Sequence, residues 1–291
     1  MSRSITLLAP AKINLGLWVG RKRPDGYHEI VTLMVPLEFG DRIKITKQAK
    51  GIRLRTTGIR LNIPANDNLA HRAAELFFAA AKIEQGCSIT INKRIPPGSG
   101  LGGGSADAAA VLIGLNRLYH HPLNRKKLRD LALKLGSDVP FFIKGVPCVA
   151  RGRGEKLRPV LLPRLLVLLY CPDFSVSTSW AYQQLDHLRR KLTPPSLSPK
   201  ILCLRLRRKE LAGLAGKIHN SFEPVVFARH PELAQIKELL LSRGAYAASL
   251  SGSGSTVYGL FPTPDPMADL IASGLPWILT RSRPSVRLNK G

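Results

Sequence analysis

Acidic residues are scarce in this chain. Of its 291 residues, 19 are aspartate or glutamate and 44 are lysine or arginine, which gives a formal net charge of +25 at pH 7. That balance favours an anionic partner such as nucleic acid, a phosphorylated small molecule or an acidic membrane surface, but it fits a merely solvated basic surface equally well. The apolar fraction of 44% is enough for a packed core, and the length fits two domains of ordinary size.

Cysteine is also scarce, and its spacing excludes one class of metal site. No two of the four cysteines stand in a CxxC spacing, so a zinc site of that pattern is excluded. Four cysteines are too few for a disulfide framework in a chain of this length. The seven histidines form no HExxH motif. The cysteines are Cys87, Cys148, Cys171 and Cys203.

Long apolar runs are missing as well. The longest, residues 165–171, falls far short of the ~20 residues that a membrane-spanning helix needs. Lys12 and Asn14 interrupt the N-terminal segment where a signal peptide would carry its apolar run. We therefore expect a soluble, reduced, cytoplasmic protein without a membrane partner.

Several strands are predicted from apolar alternation. Residues 13–19 alternate, which predicts a half-buried strand whose other face carries Lys12, Asn14, Gly16 and Trp18. Turn chemistry follows at residues 21–26. Further strands are predicted at 29–37, 41–47, 52–60, 88–95, 146–151, 155–162 and 165–171, and a strand, turn and strand across 246–261.

Helices are predicted from capping residues and from the 3.6-residue period. Asn68 or Asp67 begins a helix that runs to about residue 83, and Asn124 begins another that ends at Gly136. The apolar face of this second helix consists of Leu128, Leu131, Ala132 and Leu135. Other helices are predicted at 105–118, 178–188, 221–229 and 231–243. The basic segment 189–209 is interpreted as an exposed insertion, and 281–291 as a frayed tail.

A glycine-rich loop joins a predicted strand to a predicted helix. Five of the seven residues from 98 to 104 are glycine, which lets the backbone adopt positive φ and approach a ligand closely. The free N–H groups at the start of the following helix favour an anion, so this arrangement predicts a phosphate site. The loop lacks the Walker pattern GxxxxGK[ST]. It contains GxGxxG, but neither a returning strand nor an acidic residue follows at the dinucleotide-binding spacing.

Three segments together resemble the motifs of the GHMP kinases, the superfamily of galactokinase, homoserine kinase, mevalonate kinase and phosphomevalonate kinase. They are PAKINL at residues 10–15, the glycine loop, and SGSGS at 251–255. Within the superfamily the chain most resembles the kinases of 4-diphosphocytidyl-2-C-methyl-D-erythritol. That resemblance rests on AKINL at 11–15, DGYH at 25–28, GLGGGSAD at 100–107 and GSDVPF at 136–141.

The resemblance implies an α+β fold of two domains with the active site in the cleft between them. The domains are expected at residues 1–158, which hold the glycine loop, and 159–291. The resemblance further implies ATP as co-substrate with Mg²⁺, and transfer of the γ-phosphate to the 2-hydroxyl of the methylerythritol unit. This step belongs to the non-mevalonate route to isoprenoid precursors.

The resemblance also assigns residues to roles. Lys12 and Asp138 match the catalytic lysine and aspartate. ATP contacts fall on Pro96, Pro97, Gly98, Ser99, Gly100, Leu101, Gly102, Gly103, Gly104, Ser105 and Ala106. Substrate contacts fall on Asn14, Tyr27, His28, Thr178, Tyr182, Gly252 and Ser253, with Tyr182 matching an aromatic residue that stacks on cytosine. No carboxylate occupies a recognised metal position, so the Mg²⁺ ligands stay open, with Ser105 able to reach the ion.

Each of these residues also has an ordinary structural interpretation. Asp138 directly follows a predicted helix end and could cap the next helix, and Lys12 could be one of many solvated cations. Tyr27 and His28 could be a packed tyrosine and a surface histidine, and residues 251–255 could form a plain hairpin turn. By contrast, a carboxylate within reach of a hydroxyl can accept its proton, and a neighbouring lysine stabilises both the carboxylate and a transferred phosphoryl group.

Two other functions are compatible with the composition. A basic nucleic-acid-binding protein would explain the charge and the RLRRK run at 205–209, but it would leave the glycine loop unexplained. A sister kinase for homoserine or phosphomevalonate would need no cytosine contacts at residues 25–28 and 182. We therefore expect a small-molecule substrate and no nucleic-acid partner, and the sequence leaves the oligomeric state open.

Overall fold

The structure is a computed structural model that describes residues 3–61, 63–188, 198–211 and 213–284. The backbone divides into two compact units, each built from separate stretches of the chain. The first unit comprises Met1–Ala11, Phe39–Pro97 and Gly102–Gly145, and the second comprises Lys12–Glu38, Gly98–Leu101 and Val146–Gly291. Both units mix helices with strands, which confirms the predicted α+β class. The domain boundary at residues 158–159 stays a prediction.

The strands and helices of the described residues follow in chain order. The strands are β1 (Ser4–Lys22), β2 (His28–Gln48), β3 (Ile52–Gly58), β4 (Gly86–Lys93), β5 (Cys148–Gly152), β6 (Lys156–Pro159), β7 (Leu166–Tyr170), β8 (Ala247–Leu250), β9 (Val257–Phe261) and β10 (Trp277–Arg281). The helices are α1 (Leu69–Ala81), α2 (Gly103–Leu118), α3 (Arg125–Leu135), α4 (Val139–Lys144), α5 (Thr178–Leu188), α6 (Pro199–Arg207), α7 (Glu223–Arg229), α8 (Pro231–Ser242) and α9 (Ala268–Ala272).

The first unit packs helices against a small sheet. Within it, β4 lies between β3, to which it is parallel, and the second half of β2, to which it is antiparallel. Helices α1, α2 and α3 contact one another. The predicted caps are confirmed, because the Asn68 side chain accepts from Ala70 N and the Asn124 side chain accepts from Lys127 N. The predicted apolar face of α3 is buried throughout.

The second unit is organised around an antiparallel sheet of four strands in the order β10-β7-β9-β8. Helices α5, α7 and α8 contribute apolar side chains to the same core as β7, β8 and β9. The strand, turn and strand predicted across 246–261 is confirmed as β8, the loop 251–255 and β9. The first half of β2 pairs with β5 in this unit, and β5 pairs with β6.

The predicted half-buried strand at residues 13–19 is wrong in character. Strand β1 begins at Ser4, and every residue from Ala9 to Trp18 is buried. Both faces of the strand are therefore covered, including the face with Lys12 and Asn14, which alternation alone assigned to solvent. The strands predicted at 29–37 and 41–47 are one continuous strand, β2.

The predicted exposed insertion is wrong in its second half. Residues 199–207 form α6, which buries Pro199, Leu202, Cys203 and Leu206. Ser198 begins this helix, since its hydroxyl accepts from Ile201 N. Residues 189–197 lie outside the described residues. The start of the predicted frayed tail is also ordered, because Arg281 ends β10 and Ser282 N donates to Leu165 O at 2.9 Å.

Candidate active site

A buried lysine lies at the centre of the polar residues in the second unit. The Lys12 ammonium donates to Asn14 Oδ1 and to the carbonyl oxygen of Gly100, both at 2.5 Å. Lys12 is only 4% exposed, so its charge lies away from bulk water. Strand β1 places Lys12 and Asn14 two residues apart on one side, as the alternation predicted. This contact joins the first motif of the sequence to the glycine loop.

A chain of hydrogen bonds fixes the orientation of the Asn14 amide. Asn14 Nδ2 donates to Thr32 Oγ1 at 2.9 Å, and the Thr32 hydroxyl donates to Gly16 O at 2.7 Å. Because the hydroxyl proton of Thr32 goes to Gly16, its oxygen accepts from the amide, and Asn14 Oδ1 is left to face Lys12. Thr32 was not predicted, since a threonine inside a strand gives no sequence signal of such a role.

The first half of the glycine loop belongs to the second unit and packs on the loop 251–255. Gly100 adopts φ +76°, and a Cβ there would lie 1.9 Å from Ser251 O, so no other residue fits. The Ser251 hydroxyl donates to Gly100 O at 3.0 Å, and Thr256 N donates to Ser99 O at 3.1 Å. The sequence predicted two separate small-residue loops, and the structure brings them into direct contact.

The second half of the glycine loop opens helix α2 in the first unit. Gly102 adopts φ +74° at the N-cap, and no side chain caps the helix, which begins two residues earlier than predicted. A Cβ on Gly103 would approach Lys93 Nζ to 2.9 Å and Ile95 Cγ2 to 3.0 Å. The helix therefore starts tightly on β4, with backbone N–H groups that suit an anion.

A buried ion triad that the sequence did not predict lies beneath this helix start. Lys93 Nζ lies 2.6 Å from Asp41 Oδ2 and 2.8 Å from Asp107 Oδ2. Asp41 Oδ1 also accepts from the backbone N–H groups of Arg94 and Ile95. Burial raises the pKa of Asp107 to about 7 against the opposing attraction of Lys93. Among the described residues, Asp107 Oδ1 has no hydrogen-bond partner.

Asp138 lies in the first unit, directly before α4. It occupies the N-cap position in the right-handed helical region, φ −86° and ψ −18°, and its side chain makes no capping hydrogen bond. It is half-buried. The Asp138 carboxylate therefore does not cap α4, contrary to the structural interpretation.

The loop 251–255 contacts three predicted site residues of the second unit. A Cβ on Gly252 would lie 3.2 Å from Lys12 Nζ and 3.4 Å from Asn14 Oδ1. The hydroxyls of Ser253 and Thr178 lie 2.9 Å apart. Gly252 and Ser253 thus lie close to other predicted site residues, and their assigned contacts with the substrate stay a prediction.

An asparagine that the sequence did not predict as a site residue, Asn220, is hydrogen-bonded to the loop 251–255 and to the residue before it. Asn220 Nδ2 donates to Leu250 O at 2.7 Å and to Gly252 O at 2.9 Å, and its Oδ1 accepts from Phe222 N. Asn220 is almost fully buried. Its position before α7 gives no sequence signal, because the contacts join residues about 30 positions apart.

An aromatic cluster brings His28 and Tyr182 together. Their rings stack with centroids 4.7 Å apart and planes 14° from parallel, and Phe222 meets Tyr182 edge to face at 4.9 Å. His28 is buried, whereas Tyr27 is 51% exposed with the guanidinium of Arg153 over its ring at 4.6 Å. The Tyr182 ring, assigned to cytosine by resemblance, lies on His28 in this structure.

The described residues include neither a metal-binding cluster nor a helix that could span a membrane. No group of three or more histidine, cysteine, aspartate or glutamate side chains among them is placed to hold a metal ion. In the same part of the chain, no helix combines the length and apolar character needed to cross a membrane.

Comparisons with known proteins place these motifs in context. Residues 68–146 match the model for the GHMP kinases N terminal domain, and residues 201–273 match the model for GHMP kinases C terminal. A 4-diphosphocytidyl-2-C-methyl-D-erythritol kinase of Pelotomaculum thermopropionicum is 42% identical over 258 residues, 88% of each chain. One of Methylacidiphilum infernorum is 43% identical over 271 residues, 91% of this chain and 89% of that one.

A solved structure is similar over nearly the whole length. The crystal structure of a 4-(cytidine 5'-diphospho)-2C-methyl-D-erythritol kinase superposes with a TM-score of 0.83 at 36% identity, and it covers 96% of this chain and 99% of that one. The similarity therefore extends to the fold and to the order of the motifs.

Proposed function

The chain belongs to the 4-diphosphocytidyl-2-C-methyl-D-erythritol kinases, a family of GHMP kinases, and from that premise we propose how its residues share the work of phosphoryl transfer. It is an ATP-dependent kinase that phosphorylates the 2-hydroxyl of its substrate in the non-mevalonate pathway. The observation that carries the proposal is the Lys12 ammonium, held at 2.5 Å on the carbonyl of Gly100 within the glycine loop.

Lys12 stabilises the transferred phosphoryl group in this proposal. An ammonium that lies away from bulk water interacts more strongly with a developing negative charge than a solvated one does. Asn14 Oδ1 and Gly100 O, which accept from this ammonium, are neutral oxygens, so these two contacts orient the charge without cancelling it.

Asp138 serves as the general base. The substrate 2-hydroxyl oxygen forms a bond to the γ-phosphorus, and the bond from that phosphorus to the β,γ-bridging oxygen breaks, so ADP leaves. The hydroxyl proton passes to the Asp138 carboxylate. Support comes from the motif GSDVPF at 136–141 and from a carboxylate that makes no capping hydrogen bond.

ATP binds at the glycine loop, with its phosphates at the start of α2. Residues 98–106 supply backbone N–H groups and their glycines allow close approach, while Pro96 and Pro97, which have no N–H, precede them in the loop. We propose that Mg²⁺, when bound with ATP, would offset the charge of the phosphates. Ser105, at the third position of α2, offers it a hydroxyl oxygen, a donor type that Mg²⁺ accepts.

The cytidine moiety binds at the aromatic cluster. Tyr27 and Tyr182 offer ring faces to the base, and His28 offers a polar edge. Thr178, Ser253 and Gly252 lie near the sugar and diphosphate in this proposal. We place the protein in the cytoplasm with a small-molecule substrate, and we assign the basic surface to solvation rather than to nucleic acid.

The proposal is tested by the reaction itself. Purified protein is incubated with ATP, Mg²⁺ and either 4-diphosphocytidyl-2-C-methyl-D-erythritol, homoserine or mevalonate, and the phosphorylated product is identified by mass spectrometry. Turnover with the cytidine compound alone is expected. Turnover with homoserine or mevalonate in its place would contradict the substrate assignment.

The base is tested by Asp138→Asn, which cannot accept the hydroxyl proton. We expect kcat to fall by roughly 10²–10⁴-fold, the usual contribution of a general base, with ATP affinity retained. The control is Asp130→Asn, an exposed aspartate on α3 of the same unit, which should leave kcat unchanged. Near-normal turnover in Asp138→Asn would remove the assignment.

A further inference from the structure

Asp186 lies next to the aromatic cluster and has no role in the proposal above. It is on α5, one helical turn after Tyr182, and its Oδ1 lies 2.8 Å from His28 Nε2. Its other oxygen lies 3.8 Å from Lys22 Nζ. The Asp186 carboxylate on α5 therefore contacts both the end of β1, through Lys22, and the start of β2, through His28. His28 is the residue proposed above to bind the base.

This contact fixes which nitrogen of His28 carries a proton. An ionised carboxylate can only accept, so the hydrogen bond requires the proton to be on Nε2. The ring is held in this orientation, since its side chain is only 5% exposed and one face stacks on Tyr182. In the neutral imidazole, Nδ1 is then an acceptor with no hydrogen.

The Nδ1 edge is the part of His28 left for a ligand. In the stretches of chain that the structure describes, Nδ1 has no hydrogen-bonding partner, and Nε2 is the nitrogen that contacts Asp186. A base hydrogen-bonded in the plane of this imidazole would run nearly parallel to the Tyr182 ring, because the two rings differ by only 14°.

We propose that Asp186 makes the site specific for cytosine over uracil by holding His28 as an acceptor. Cytosine carries an amino group at position 4, which donates, where uracil carries a carbonyl oxygen, which accepts. The Nδ1 lone pair accepts a hydrogen bond from the amino group of cytosine, whereas it repels the carbonyl oxygen of uracil. The inference rests on the proposed contact of His28 with the base, and in it Asp186 is a positioning residue that acts through His28.

The key variant is Asp186→Asn. An asparagine amide can donate as well as accept, so it no longer excludes the opposite tautomer, in which Nε2 accepts and Nδ1–H donates to a carbonyl. Leaving a buried polar group without its partner lowers affinity by roughly 10- to 100-fold. We therefore expect the preference for the cytidine substrate over its uridine analogue to fall by at least tenfold, chiefly through KM.

The experiment measures kcat and KM of full-length protein for both nucleotide substrates at saturating ATP. Gln183→Ala, at an exposed position of the same helix, is the matched control and should keep the wild-type preference. If Asp186→Asn loses activity equally on both substrates, or keeps the wild-type preference, Asp186 is merely structural and the inference is wrong. If the wild type does not use the cytidine substrate at all, the proposed function fails instead.

A measurement on the wild type decides the matter even if the variant does not fold. The ¹⁵N chemical shifts of a histidine ring distinguish a protonated nitrogen from a bare one. In the neutral form of the ring, we expect His28 to show a protonated Nε2 and a bare Nδ1. The opposite tautomer, or an equal mixture, would overturn the inference.

Discussion

Each unit of this protein buries one lysine at the glycine loop, and the two lysines differ in their partners. In the first unit, Lys93 lies between the carboxylates of Asp41 and Asp107, beneath the start of α2. In the second unit, the Lys12 ammonium donates to two neutral oxygens. Both side chains are less than 5% exposed. Carboxyl groups lie on both sides of the Lys93 ammonium, whereas the contacts of Lys12 with Asn14 and Gly100 are made to neutral oxygens.

The difference shows how burial alone fails to identify a functional lysine. A buried cation flanked by anions holds backbone segments together, and Asp41 does so here through Arg94 N and Ile95 N. A buried cation on neutral oxygens is available to attract an anionic ligand. We therefore expect variants of Lys93 to change stability and variants of Lys12 to change catalysis.

The largest effect is expected from Lys93→Met, which leaves two buried carboxylates without their cation. Breaking a buried ion pair in this way typically costs about 3–5 kcal/mol of stability. The free energy of unfolding, measured by urea denaturation, should fall by that amount. Lys44→Met, an exposed lysine on β2, is the control. A loss of less than about 1 kcal/mol in the free energy of unfolding would contradict the structural role assigned to Lys93.

Lys12→Met should act on the reaction instead. Loss of one group that stabilises charge in the transition state typically costs about 10²–10³ in kcat. The urea midpoint should change less than in Lys93→Met, because the oxygens of Asn14 and Gly100 that lose their donor are neutral. Steady-state kinetics and denaturation of the same preparation measure both quantities, with Lys156→Met on β6 as an exposed control. A Lys12→Met variant that loses stability but retains kcat would contradict the catalytic role assigned to Lys12.

Thr32→Val sharpens the comparison, because it removes the hydroxyl that orients Asn14. One net hydrogen bond contributes about 0.5–1.5 kcal/mol, so kcat should fall by roughly 2- to 12-fold. Thr32→Ser keeps the hydroxyl and should restore most of the rate. If serine does no better than valine, then the methyl packing of Thr32 matters rather than its hydrogen bond.

The smallest effect at neutral pH is expected from Asp107→Asn. The pKa of Asp107 is raised to about 7 in the folded state by burial, so the folded protein binds a proton that the unfolded chain releases near pH 4. Its contribution is therefore present below about pH 4 and is lost as pH rises towards 7. Asp107→Asn should reduce the dependence of the free energy of unfolding on pH. At pH 7 it should change that free energy by about 1 kcal/mol or less, since Lys93 keeps its ion pair with Asp41.

Urea denaturation at several pH values between 4 and 8 measures this prediction. A slope unchanged by Asp107→Asn would mean that Asp107 is ionised throughout that range. The triad would then need both of its negative charges.

The fold could be predicted from sequence where the signal is local. Caps at Asn68 and Asn124 and five clustered glycines determine local geometry, and those elements are found within about two residues. Helix α6 was missed although Leu202, Cys203 and Leu206 have helical spacing, because its basic residues suggested a solvated segment. Alternation predicts that strand β1 is half-buried, because the sequence pattern cannot reveal that other residues cover the polar face.

The site divides in the same way. The motifs predict roles for Lys12, Asn14, His28 and Asp138 by resemblance, and those roles stay predictions. Thr32, Asp186 and Asn220 could not be predicted, since each acts through a partner on another element. Lys93 stands beside Arg94 in a chain with 44 basic residues, so nothing in the sequence separates it from surface lysines.

The carbonyl oxygen of Gly100 has a consequence for how the chain reaches its native state. It accepts from Lys12, 88 positions earlier, and from Ser251, 151 positions later. Contacts between such distant residues form only after large loops have closed, which makes them late events in folding. A nascent chain that lacks residues beyond 250 has no Ser251 to complete this junction. Catalytic competence therefore requires a chain that extends at least to Ser251, and during refolding it should return after most of the helical signal.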